Sequence, residues 1–155
     1  MKTRELLALD CIVLHVEAKH KEEVWEVLAD RLQHSGVIST AEQFVEDVAA
    51  RESMGTTGVG HGVSIPHAKS AAVDRAGLAI ARLATPVDVN SLDGTKADLF
   101  FMVAAPLDGI DLNLQMLSTI ARMIRHDSFL AALRTAPTVE EVLRIIGEQE
   151  EQLPK

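Results

Sequence analysis

Apolar and polar positions divide the chain into short apolar runs and longer stretches with helical spacing. CIVLHV (11–16) reads as a strand. HKEEVWEVLADRLQH (20–34) puts Val24, Val27, Leu28 and Leu32 on one helical face and stops at Ser35-Gly36. Ser39-x-x-Glu42 has the form of a capping box. It opens a second helix with Phe44, Val45, Val48 and Ala49 inward and Arg51 in the last turn, ending before Gly55. GLAIARL (77–83) and ADLFFMVAAP (97–106) read as strands, and the second is apolar on both faces, as in a central, covered strand. Asn90-Ser91-Leu92-Asp93-Gly94 carries turn chemistry. Residues 111–125 return to helical spacing with Leu114, Leu117, Ile120, Ala121 and Ile124 inward. Asp127 starts a short helix holding Phe129, Leu130 and Leu133, and Thr138-x-x-Glu141 starts a last one with Val142, Ile145 and Ile146. The tail EQEEQLPK is expected to fray. Strands interleaved with helices predict an α/β domain, with helices on both faces of a sheet covering the apolar stripes.

The 155 residues suffice for one domain with a core of its own. Aromatics are scarce, one Trp and four Phe with no Tyr, so that core is aliphatic. A formal net charge of −8 argues against nucleic acid, whose binders neutralise phosphates with a basic face. Cys11 is the single cysteine, which excludes an internal disulfide and a cysteine zinc cage and fits a reducing compartment. MKTRELLALD lacks the apolar run of a signal peptide, and no apolar stretch is long enough to span a bilayer. These features predict a cytoplasmic protein without membrane insertion.

The candidate chemistry lies in GTTGVGHGVSIPHAKS (55–70). Gly58, Gly60 and Gly62 are spaced to turn backbone N–H groups toward an anion, as a phosphate cradle, or simply to form a flexible connection. No Walker A or dinucleotide fingerprint is present. Pro66 then fixes the backbone beside His67, whose neutral imidazole is a nucleophile toward phosphorus. Arg51 either grips phosphoryl oxygens and depresses the pKa of His67, or is a solvated residue at a helix C-terminus. A metal site built on His61 and His67 lacks an acidic third ligand at usable spacing. No metal or cofactor is expected.

RESMGTTGVG (51–60) followed by GVSIPH (62–67) resembles the signature of the enzyme IIA domains of the fructose–mannitol class. These belong to the bacterial phosphoenolpyruvate-dependent sugar phosphotransferase system. LDCIVLHVEAKHKEEVWEVLADRL, LDGTKADLFFMVAAP and TVEEVLRIIG resemble the family's opening strand and helix, central strand and final helix. The pattern is closer to the fructose and nitrogen-regulatory branches than to the mannitol branch. The resemblance implies a mixed β-sheet flanked by helices over residues 1–150, with 151–155 a frayed tail. It implies a phosphocarrier in which His67 accepts a phosphoryl group at Nε2 from the phosphocarrier protein HPr, with Arg51 beside it. The group then passes to a cysteine of a sugar-specific enzyme IIB, which serves a membrane enzyme IIC in fructose-like sugar uptake. The alternative is a nitrogen-type regulatory protein whose phosphorylation state controls partner binding.

Two positions depart from the family pattern. Asn113 stands where family members usually carry a second histidine, and an amide donates a hydrogen bond but takes up no proton. His61 stands where the fructose-like pattern often has Asn, and is hypothesised to supply the missing imidazole. Val59, Val63 and Met54 are candidates for an apolar docking rim. His15 is expected to be partly buried in its strand and has no assigned role.

Overall fold

A computed structural model describes residues 2–154. Two 3₁₀ turns, Thr3–Leu6 and Leu9–Cys11, lead into β1 (Ile12–Val16). Then follow α1 (Lys21–His34), α2 (Ala41–Glu52), and three short strands, β2 (Gly58–Gly60), β3 (Val63–Ser64) and β4 (His67–Lys69). Two long strands, β5 (Gly77–Val87) and β6 (Ala97–Ala105), precede α3 (Ile110–Met123), α4 (Asp127–Thr135) and α5 (Val139–Glu151).

The sheet is mixed, in the order β1-β5-β6-β3-β2, with β4 also paired to β6. β5 and β6 are antiparallel, whereas β1 runs parallel to β5, and β3 and β4 run parallel to β6. β6 is the buried centre, as its two-sided apolar pattern predicts: every residue but Asp98 is buried. α1 and α2 pack on each other and reach the sheet through β5 and β4, while α3 and α5 reach it through β6 and β1. The core is aliphatic apart from Phe44, Phe100, Phe101 and Phe129, with Trp25 buried on α1.

The long elements match the sequence reading; several details do not. Cys11 closes a 3₁₀ turn rather than starting a strand. Ser39 makes no capping box. Its N–H and Oγ both donate to Ala72 O (2.8 and 3.2 Å), and Gln33 Oε1 instead accepts from Ala41 N at the start of α2 (2.6 Å). Ala49 faces solvent. His15 is exposed at φ 61°, in a bulge where β1 slips register between Val13 and Val16. On α3 the buried stripe is Asn113, Met116, Ile120 and Met123, so Leu114 (59% exposed) and Ala121 point outward. The helix α5 runs on through residues 148–151, and Glu150 accepts from the N–H and hydroxyl of Thr3 (2.7 and 2.9 Å).

Candidate functional site

The glycine stretch is itself part of the sheet. β2 and β3 form a small hairpin turning at His61-Gly62, and β4 then carries His67 alongside Val103 of β6. Pro66 O accepts from Val103 N (3.0 Å) and Ile65 N donates to Thr57 O (2.9 Å), so the backbone on the N-terminal side of the histidine is pinned. His67 Nδ1 lies 2.9 Å from Ile65 O. A carbonyl can only accept, so Nδ1 carries the proton and the neutral ring keeps its lone pair on Nε2. Burial is the main influence holding His67 below its ordinary pKa. The bond to Ile65 O pulls it up, the Arg51 charge pulls it down, and Glu52 opposes Arg51. The half-buried ring is therefore biased toward its neutral, nucleophilic form.

His67 lies in a depression of about 220 Å³ that Arg51, Thr57, Val59 and Ile65 share with Leu117 and Ala121 of α3. Arg51 comes from the last turn of α2 and donates through Nη1 to Gly55 O (3.2 Å). The structure thus brings together Arg51 and His67. Asn113 sits one helical turn before Leu117 on the same face of α3, only 7% exposed, with a buried Oδ1 that has no partner among the described residues. A larger hollow of about 380 Å³, between the N-terminal segment and α3, holds none of the predicted site residues.

The glycines do not make a phosphate cradle. The N–H groups of Gly58, His61 and Gly62 already donate to Thr56 Oγ1, Asp93 Oδ2 and Thr95 Oγ1 (2.9, 3.0 and 3.3 Å). A Cβ at Gly60 would fall 2.7 Å from an Asp93 carboxylate oxygen, and one at Gly62 would fall 2.5 Å from Arg134 Nη2. Both glycines also have positive φ (90° and 78°). They are glycines because the hairpin is tightly turned and closely packed.

His61 is not beside His67. It occupies the exposed hairpin turn at φ 57°, its N–H on Asp93 and its carbonyl accepting from Arg134 Nη2 (2.7 Å). The next residue, Gly62, accepts from Asp98 N, whereas His67 is in register with Val103. Those positions are separated by roughly 16 Å of strand. Val63 is buried at 1% and forms no docking rim, whereas Met54 (81%) and Val59 (48%) are exposed.

Sequence reasoning missed Glu52 and Thr57, which lie beneath the histidine. The Glu52 carboxylate accepts from Thr57 N (3.1 Å) and from Thr57 Oγ1 (2.6 Å), with Lys21 Nζ 3.7 Å away. The available signal was a polar residue, Thr57, inside an otherwise bare glycine run, one helix end away from a carboxylate.

The α/β domain thus presents one oriented imidazole beside a guanidinium at an apolar-rimmed hollow. Residues 5–149 match the family described as "Phosphoenolpyruvate-dependent sugar phosphotransferase system, EIIA 2", and the chain belongs to that family. It is 33% identical to the fructose-specific EIIA component of Haloferax volcanii, covering 90% of this chain and 91% of that protein. It is 30% identical to a nitrogen regulatory protein of Pseudomonas aeruginosa, covering 94% and 95%. The chain spans about a quarter of the length of the EIIABC proteins it matches in Bacillus subtilis and Escherichia coli. Among solved structures, the nitrogen regulatory protein IIA-Ntr of Neisseria meningitidis superposes with a TM-score of 0.85 at 33% identity, over 92% of this chain and 97% of that one. The Escherichia coli mannitol IIA in complex with phosphorylated IIB shares the fold (TM-score 0.79, 21% identity, covering 92% of this chain and 99% of that one). Among the described residues no helix is long and apolar enough to cross a membrane.

Proposed function

We propose that this chain is a phosphocarrier in which His67 is transiently phosphorylated at Nε2. The observation that carries this reading is the His67 Nδ1–Ile65 O hydrogen bond, which leaves Nε2 as the ring's lone-pair nitrogen. The Nε2 lone pair attacks the phosphorus of a phosphohistidine on HPr. A new N–P bond forms, the donor's N–P bond breaks, and its electron pair returns to the donor imidazole. Nδ1 keeps its proton on Ile65 O throughout, and that carbonyl offsets positive charge developing on the ring. Arg51 offers charge and N–H groups to the phosphoryl oxygens, and such positioning with charge stabilisation is most of what phosphoryl transfer requires. Asn113 stands at the place of a second histidine, where its amide NH2 can donate a hydrogen bond but takes up no proton, while its buried Oδ1 can only accept. The phosphoryl group leaves by attack of a thiolate from a fructose-type enzyme IIB, which forms an S–P bond as the N–P bond of His67 breaks and in turn supplies the membrane enzyme IIC.

A second reading is a regulatory protein whose partner binding follows its phosphorylation state. The near end-to-end match to the Pseudomonas aeruginosa nitrogen regulatory protein favours it. Both readings need the same first step. Intact-mass spectrometry after incubation with phosphoenolpyruvate, enzyme I and HPr should show one acid-labile phosphoryl adduct on wild type and none on His67→Ala. An unmodified wild type alongside phosphorylated HPr defeats both readings. Loss of the adduct on adding a cognate enzyme IIB selects the carrier; its retention selects the regulator.

A further inference from the structure

The histidine ring is connected to the end of α2 by an unbroken chain of hydrogen bonds. The Glu52 carboxylate, its side chain 7% exposed, takes both the N–H and the hydroxyl of Thr57 (3.1 and 2.6 Å). The carbonyl of Thr57 takes the N–H of Ile65 (2.9 Å), and the carbonyl of Ile65 takes Nδ1–H of His67 (2.9 Å). The single hydroxyl proton of Thr57 is committed to the carboxylate. Ser64 Oγ, 3.4 Å away, therefore donates to Thr57 Oγ1 rather than competing for Glu52. Lys21 Nζ supplies the countercharge from the first turn of α1 (3.7 Å).

We propose that Glu52 is a positioning residue for the phosphoryl acceptor: by gripping Thr57 at two atoms it holds the Ile65 carbonyl where it keeps the proton of His67 on Nδ1 and turns Nε2 toward the incoming group. This rests on His67 being the acceptor. A carboxylate suits the task because it presents two acceptors to two donors, and a carboxamide presents one. The position also explains why a charged residue is held under the site. Removing one member of this largely buried ion pair leaves the other without its countercharge, so the cluster keeps one arrangement. The strand pairing of β4 with β6 fixes the backbone of His67, and among the described residues it is the Ile65 carbonyl that selects between the two ring tautomers.

The test uses the full chain with ¹⁵N-labelled histidine, as wild type, Glu52→Gln, Glu52→Ala and Thr57→Val. In wild type the imidazole ¹⁵N shifts should report a single neutral tautomer protonated at Nδ1. In the variants they should report a mixture, and single-turnover acceptance from phospho-HPr should fall about tenfold or more, as expected when a reacting group loses its orientation. Thr57→Val keeps the Thr57 N–H bond and loses only the hydroxyl, so its defect should be the smallest. A folded Glu52→Ala with the wild-type tautomer and wild-type acceptance rate overturns the proposal. If Glu52→Ala does not fold, the same pair of readings on Thr57→Val and Glu52→Gln decides it. The tautomer measurement needs no phosphoryl donor. A wild type that takes no phosphoryl group therefore defeats the carrier reading while the positioning claim is still judged.

Discussion

At the scale of single residues, the environment of His67 sets a pH profile. Its pKa is held below the ordinary value of 6.5, mainly by burial. The fraction of neutral, nucleophilic imidazole, and with it phosphoryl acceptance, should thus persist as pH falls through 6.5, where an exposed histidine is half protonated. Arg51→Gln removes a charge that lowers this pKa, so the NMR-titrated pKa of His67 should rise and acceptance should weaken first at the acid end. The stability consequence has a definite sign. Below the unfolded pKa the unfolded chain binds more protons at this site than the folded chain does, so stability falls as pH drops from about 6.5 to the folded pKa and then levels off. Above 6.5 both states are neutral and the group contributes no slope. His67→Gln should lack this segment of the stability curve in urea titrations at several pH values.

At the scale of elements, the hairpin β2–β3 behaves as a packed corner. Gly60→Ala must place a methyl against the Asp93 carboxylate at positive φ, and should cost about 2 kcal/mol or more in urea denaturation, against about 1 kcal/mol for Gly94→Ala, which has the same φ problem in open space. An anion cradle would show the opposite pattern, with lost phosphoryl acceptance at little cost in stability. Whether the hairpin was legible in the sequence is a question of locality. α1, α2, α5 and the strands β5 and β6 announce themselves through periodicity over seven or more residues. β2, β3 and β4 are two or three residues long; β3 and β4 exist because β6 offers distant partners (Val63 with Leu99, His67 with Val103) and β2 because β3 does, so no periodicity marks them. The stripe on α3 was misread for a related reason. Leu114, Leu117 and Ala121 look like a core face, but the buried stripe runs through Asn113, whose polarity disguises it. Of these apolar residues, Leu117 and Ala121 line the hollow around the histidine. His67 and Arg51 were legible because they are near in sequence as well as in space. Glu52 was hidden because its effect passes through two backbone carbonyls.

At the scale of the whole molecule, two of the exposed apolar residues accompany the site: Val59 lines the hollow around His67, and Met54 follows Arg51 by three positions. A protein donor reaching a half-buried ring needs a surface of this kind, with a small apolar centre to dock against. Val59→Asp should raise the KM for phospho-HPr about tenfold while leaving single-turnover transfer at saturating donor nearly unchanged. An unchanged KM would mean that the donor approaches over another face.

The placement of Trp25 gives the molecule a property of practical use. It is the chain's one tryptophan, there is no tyrosine, and its buried indole N–H has no partner among the described residues. Lys21, the residue that faces Glu52, also lies over the indole, 5.8 Å from its centroid. The tryptophan fluorescence of this protein thus comes from a single fluorophore, and one cation connects that fluorophore to the carboxylate under the histidine. A change in how Lys21 divides itself between ring and carboxylate alters the field across the indole, so the emission of the unlabelled protein should shift in Glu52→Gln.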